Sequence, residues 1–439
     1  MDFLQLMGNR EACFRSQGHS VFEELSWRLR RWTHRYQRVL ASLRVRGWAS
    51  TWQRVTHALA PRATAAAGPS EDPIAIEHGE GPRMLVIDAS APDPTRDAGS
   101  LRMHALLALL REQGWRVDFI ADDGASGPAD VRRLAKVGVE LRQGNIVRWL
   151  RSEGRALDTV MLSRAPIARQ YLSLVRKLAP QARVVFDTVD LHFLRERRGA
   201  DLMGNAALRR QAEATLRDEL ALIRGSDLCL VVSKEEQRIL ADLLPERQVE
   251  LLSTIQHVHG RGAGYEERHD LVFVGGFSHP PNLDGMKWFI AEVFPIIRER
   301  LPDIVLHVVG ELTPQASLEL QGGGVRLHGR VEDLAPLMNA SRLSVAPLRF
   351  GAGVKGKVNM AMSHGVPVVL TPIAAEGMHL VDGEDALIAA SAEDFASSVL
   401  RAYHDSALWL RLSDAGIRNI EQHFSVDLAR RQVQRIFAH

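Results

Sequence analysis

Two doubly wound, Rossmann-like α/β domains facing across a cleft, with an N-terminal basic helical extension, are the architecture this sequence predicts. Three observations carry it. Short apolar runs alternate with helix-patterned stretches from Arg83 onward. The alternation stops at a polar segment, 257–269, and then restarts. The length, 439 residues, suits two ordinary domains plus appendages. Hydrophobic residues make up 46% and charged residues 25%, which excludes a disordered chain, a collagen and a disulfide scaffold. Cys13 and Cys229 are far apart and fit no metal spacing, so a reducing compartment is expected. Apolar runs such as 366–370 are too short for a membrane span, and the N-terminus lacks the basic-then-apolar order of a secretory signal.

Residues 1–60 form the basic extension. The spacing of Leu25, Leu29, Trp32, Tyr36, Val39, Leu40 and Leu43 predicts one apolar stripe on a helix within 20–60, with Arg28, Arg30, Arg31, Arg35, Arg38, Arg44 and Arg46 mostly on the other faces. Trp27, Trp32, Trp48 and Trp52 lie here too, and no acidic residue occurs between Glu24 and Glu71. Residues 1–70 hold eleven Lys and Arg against four Asp and Glu, whereas the rest of the chain is mildly acidic. Such a helix can lie on an anionic membrane surface or meet a partner protein; equally, its stripe can dock on the protein's own body. Gly47 predicts a break before a second short helix over 49–59. Residues 61–82 have linker composition.

The first domain is expected over 83–256, with strands at 84–88, 117–121, 139–141, 159–162, 184–187 and 228–232. Helices are expected at 100–112, 167–178 and 202–224. A hinge over 257–269 leads to the second domain, 270–405, with strands at 271–274, 304–309, 325–327, 343–346 and 366–370. Its helices are expected at 283–300, 355–364 and 392–404, with a helical C-terminal stretch after them.

In such sheets ligands sit at the carboxyl ends of strands, where helix amino ends point. Three loops there lack bulk: Asp97-Ala98-Gly99-Ser100, Gly275-Gly276-Phe277-Ser278, and Phe350-Gly351-Ala352-Gly353-Val354-Lys355-Gly356-Lys357. Small residues let backbone N–H groups approach an anion, and Lys355 and Lys357, with Arg349 before them, add full charge. This outlines a diphosphate site, although glycine also serves plain turns. The Walker and GxGxxG patterns are absent, which argues against a P-loop ATPase and a dinucleotide dehydrogenase. After another strand stands Asp187-Thr188-Val189-Asp190-Leu191-His192. There His192 can take a proton from an attacking hydroxyl and Asp190 can orient it or act as acceptor.

These residues resemble a known family, the retaining glycosyltransferases of family 4 with the B-type two-domain fold. The matching text in the second domain is LVFVGGFSHPPNLDGMKWF, LHVVGE and VRLHGRVEDLAPLMNASRLSVAPLRFGAGVKGKVNMAMSHGVPVVLTPIAAEGM; in the first it is VIDASAPDPTRDAGSLRM, VVFDTVDLHFLRERR and VVSKEEQRIL. The resemblance spans roughly 83–425. It implies transfer of a sugar from a nucleotide-diphosphate sugar to a hydroxyl acceptor, with retention and no metal cofactor. It implies that the N–H groups of Ala352, Gly353 and Val354 hold the donor diphosphate, with Lys355 and Lys357 as counter-charge and Gly99 and Gly276 close by. Arg330 and Val331 would line the nucleobase, Asn359 is the candidate for a ribose hydroxyl, and His192 and Asp190 would meet sugar and acceptor. Residues 406–439 would cross back onto the first domain. The chain departs from the family at Ala352 and Met360, where glutamates are usual, and at Gly276 and Pro281, where an arginine and a lysine are common.

A lipid-linked acceptor would suit the basic extension, with bacterial surface polysaccharide assembly at the cytoplasmic, inner face of the plasma membrane. Two other readings stay open: a nucleotide-sugar epimerase of the same fold, and a catalytically inactive membrane-docked scaffold. No nucleic-acid partner is expected, since no recognised module is present.

Overall fold

The computed structural model describes residues 80–438, and the basic extension therefore lies outside the described residues. Residues 80–144 and 153–438 belong to one compact body. Its first half is built on β1 (Arg83–Asp88), β2 (Arg116–Ala121), β3 (Glu140–Leu141), β4 (Thr159–Ser163), β5 (Arg183–Asp187), β6 (Leu228–Val231) and β7 (Val249–Leu251). The second holds β8 (His269–Val274), β9 (Leu306–Val309), β10 (Val325–Gly329), β11 (Ser341–Ala346), β12 (Val368–Leu370) and β13 (Leu387–Ile388). All pairings are parallel. The sheet orders are β3-β2-β1-β4-β5-β6-β7 and β10-β9-β8-β11-β12-β13. Both halves thus repeat the 3-2-1-4-5-6 order, which reverses between β1 and β4 and between β8 and β11. Two α/β halves with this doubly wound order are what the alternation predicts.

The helices that position the site are α1 (Ala98–Glu112), α2 (His192–Leu202), α3 (Ala206–Gly225), α4 (Lys234–Leu243), α5 (Pro280–Trp288), α6 (Gly356–Ser363), α7 (Ser406–His423) and α8 (Val426–Ile436). Strands buried on both faces read as continuous apolar runs, and β1, β6 and β12 do so. Met84, Val86, Phe119, Met161 and Val185 form one core with α1, while Leu271, Phe273, Leu306, Leu343 and Phe395 form a second. The C-terminal stretch divides its allegiance. Ile420 of α7 packs in the second half, whereas Ala429, Val433 and Ile436 of α8 join the core of the first.

The structure corrects several sequence boundaries. The helix expected over 202–224 is α3, which starts only at Ala206, after Gly204 (φ 60°) and Asn205, whose side chain accepts from the N–H groups of Ala207 and Leu208; α2, ending at Leu202, was not expected. The strand expected from 304 begins at Leu306, that from 366 at Val368, and the helix expected from 355 at Gly356. The helix expected over 283–300 starts at Pro280 and passes through a π-helical stretch, Phe289–Val293. Helices Pro128–Lys136 and Ile146–Glu153, and strands β7 and β13, were not expected. No helix among the described residues is long and apolar enough to cross a membrane.

Candidate functional site

Both switch-point loops of the second half are the glycine-rich ones. The chain leaves β8 through Gly275 and Gly276 toward His279, and leaves β11 through Pro347 toward Lys355, where α6 begins. Arg349 ties the second loop to α5 through a two-pronged pair with Asp284 at 2.5 and 2.9 Å. Gly353 has φ 68°, which a side chain would strain. Among the described residues the N–H groups of Ala352, Gly353 and Val354 find no acceptor. Three consecutive unpaired amides at the start of a helix form a cradle for an anion.

The two lysines differ in what they do. Lys355 is 5% exposed and folds back on its own loop, its Nζ donating to the carbonyls of Gly353 (2.7 Å) and Glu376 (3.4 Å) while its amide meets Met378 Sδ at 3.2 Å. It holds the turn in shape. Lys357 instead stands over Gly275. Its ammonium donates to Asn282 Oδ1 at 2.9 Å and lies 5.4 Å from the centroid of Phe273. No carboxylate pairs with it among the described residues. Burial, with the like charge of Lys355, pushes Lys357 down to about 8, and burial likewise pulls Lys355 to about 8 against the opposing charge of Glu376. A desolvated cation without a counter-ion is a standing demand for an anion.

The first half brings a charged loop against that cradle. A Cβ placed on Gly353 would lie 3.2 Å from Asp190 Cβ and 3.3 Å from Val232 Cγ2. Two buried carboxylates fix the loop after β5. Glu236 of α4 accepts from Leu191 N (3.1 Å) and Val232 N (3.2 Å), and Glu219 of α3 accepts from the N–H groups of His192 and Phe193, both at 3.0 Å. Burial, with Asp190 nearby, pushes Glu236 up to about 7, and burial also raises Glu219. Glu219 thereby caps α2, whose own preceding residue, Leu191, supplies no side-chain cap. Val189 takes φ 65°, a strained turn held by these bonds. His192 Nε2 sits 3.3 Å from Asp190 Oδ1, and Arg195, one turn along α2, pairs with the other carboxylate oxygen. Although burial opposes its ionisation, the Arg195 guanidinium and His192 hold the Asp190 carboxyl well below the usual carboxylate range.

The remaining expected residues divide. Asp187 is absorbed by Arg102, which grips both its oxygens at 2.8 and 3.0 Å deep in the core. Gly99 lies beneath the guanidinium of Arg164, itself bonded to Asp88 at 2.9 Å. Gly276 is open. Arg330 reaches across to Asp93 and Thr95, both at 2.8 Å, and Val331 packs on the second half's apolar cluster. Asn359 is fully buried and donates to Thr254 Oγ1 at 2.8 Å, while its Oδ1 has no partner. Ala352 and Met360 supply no carboxylate, and the Met360 sulfur lies 4.0 Å from Gln256 Nε2. Arg195, Glu219 and Glu236 were missed. The signal for Arg195 was its spacing of three from His192, legible only once α2 is known to begin there.

Residues 268–405 match the family model described as "Glycosyl transferases group 1". An "Uncharacterized 44.6 kDa protein in cps region" of Klebsiella pneumoniae is 31% identical over 140 residues. That match covers 30% of this chain and 36% of that protein, so the chain spans about a third of the curated relative. Among solved structures, Anabaena Alr3699/HepE in complex with UDP and glucose superposes with a TM-score of 0.61 at 14% identity, covering 82% of this chain and 100% of that one. Sucrose-phosphate synthase from Thermosynechococcus elongatus gives 0.59 at 16% identity, covering 81% and 98%. A glycosyltransferase from Rickettsia africae gives 0.56 at 13% identity, covering 82% and 98%. The fold is that of the two-domain, B-type glycosyltransferases, and the second half carries their group 1 pattern.

Proposed function

We propose that this chain is a retaining glycosyltransferase that moves a sugar from a nucleotide-diphosphate sugar to a hydroxyl acceptor in bacterial surface polysaccharide assembly. The observation that carries the reading is the cradle of unpaired amides at Ala352, Gly353 and Val354, with the unpaired Lys357 on the same switch-point face and His192 and Asp190 opposite. Negative charge grows on the diphosphate as the bond from the sugar's anomeric carbon to the phosphate oxygen breaks. Preorganised amides and a desolvated ammonium stabilise that charge where it develops. With Nε2–H of neutral His192 directed at Asp190, Nδ1 is left to receive the proton of the attacking hydroxyl. The acceptor oxygen bonds to the anomeric carbon on the same face from which the nucleoside diphosphate departs with the electron pair, so configuration is retained.

The cps-region relative supports the polysaccharide setting, and the UDP-bound neighbour supports the donor class. A peripheral, inner-membrane location with a lipid-linked acceptor rests on the basic extension, residues 20–60. The test is a panel of UDP-, GDP- and dTDP-sugars incubated with the full chain, with and without lipid-linked acceptors. Release of nucleoside diphosphate that needs the acceptor and falls at least tenfold in Lys357→Ala supports transfer. A new sugar isomer from donor alone would indicate an epimerase, and no donor binding at all by a folded chain would indicate a scaffold.

A further inference from the structure

The cations around the glycine-rich loop are unequally committed. Arg349 is taken by Asp284, and Lys355 by two carbonyls. Arg198 is held by both oxygens of Glu376 and by the carbonyl of Gly351. Arg195 has one ionic partner among the described residues, Asp190, and must share that carboxylate with His192. Asp190 itself abuts Gly353, so the guanidinium bonded to it lies at the lip of the amide cradle. Burial, with the charges of Arg195 and Lys357, pushes the His279 imidazole down to about 4, so both cations bear on the loop after β8.

We propose that Arg195 is a phosphate ligand held in reserve: its guanidinium rests on Asp190, and a diphosphate seated on the 351–355 loop takes it over, leaving Asp190 to His192 alone. A guanidinium fork matches two phosphate oxygens as well as it matches a carboxylate, and a pyrophosphate offers more charge than Asp190. The exchange couples binding to catalysis. The carboxylate that orients His192 is released from its competitor only when the donor has arrived. This inference rests on the donor reading given above and adds a residue from the opposite half to it.

The experiment is isothermal titration of the full chain with UDP and with inorganic pyrophosphate, using Arg195→Ala, Arg195→Gln, Asp190→Asn and Lys357→Ala. Both Arg195 variants are expected to weaken UDP at least tenfold. Asp190→Asn, which frees Arg195, is expected to tighten UDP several-fold while lowering turnover. If Lys357→Ala weakens UDP but the Arg195 variants bind as wild type does, the reserve ligand is refuted and the donor reading stands. If Asp190→Asn weakens binding as much as Arg195→Ala does, the pair is structural and the exchange is refuted. If the folded wild-type chain binds neither probe, the donor reading fails and takes this inference with it.

Discussion

The two halves share one strand order yet treat charge in opposite ways at their switch points. In the first half, Arg164 is matched to Asp88, Arg102 to Asp187, and Arg96 to Asp97. In the second, Lys357 has only an amide oxygen and a ring face, beside three amides with no acceptor. A satisfied network holds a shape, and an unsatisfied one waits for a ligand. The same topology therefore serves as scaffold on one side and as anion receptor on the other.

Four substitutions test this contrast, in descending order of effect. Arg102→Ala leaves Asp187 charged and unpaired in the core of the first half, and is expected to cost about 3–5 kcal/mol in urea unfolding without a specific loss of donor affinity. Lys357→Ala should act the other way, with near-normal stability and a donor affinity reduced by roughly 1.5–3 kcal/mol, read by titration. Gly356→Ala places a Cβ 2.2 Å from Ala98 Cβ, between backbones that cannot both yield, and should destabilise the chain by about 1–3 kcal/mol. Arg330→Ala removes a partly exposed pair with Asp93 and should change stability by about 0–1 kcal/mol, within the scatter of a melting experiment.

The pH dependence sharpens the same point. Lys357 and Lys355 each sit at about 8 rather than at the ordinary lysine value of 10.5. The protonated form binds the anion, so UDP affinity should hold below pH 7 and decline as pH rises through 8. Lys357→Arg, which keeps its proton, should make that decline shallower. Stability has the opposite sign. Between pH 8 and 10.5 the unfolded chain binds more protons at these lysines than the folded one, so their contribution favours folding increasingly as pH rises through that window. Affinity unchanged across pH 6 to 10 would remove Lys357 from the site.

Much of this was legible in the sequence, for local reasons. The glycine-rich loops at Gly275 and Gly353 stand out because few other residues suit those places, and the apolar strands announce themselves by length. What stayed hidden depends on distant partners. The start of α2 has no capping side chain of its own, because Glu219, 27 residues on, provides the cap. Without that helix, Arg195 could not be placed beside His192. Strands β7 and β13 are two or three residues long and exist only through their pairing. Lys355 and Lys357 look equivalent in sequence; only burial and the position of Glu376 separate a lysine that braces the loop from one that awaits a partner.

Helices α1 and α6 meet at their first residues, Ala98 against Gly356. Each presents the positive end of its dipole there; Asp97 caps α1, whereas α6 has no capping side chain and no acidic residue in its first turn. The positive end of α6 is thus the one left without a negative partner of its own. A bound nucleotide is then also mortar: its phosphates turn a weak seam into a joint, and the whole molecule should resist heat and proteases better for holding its substrate.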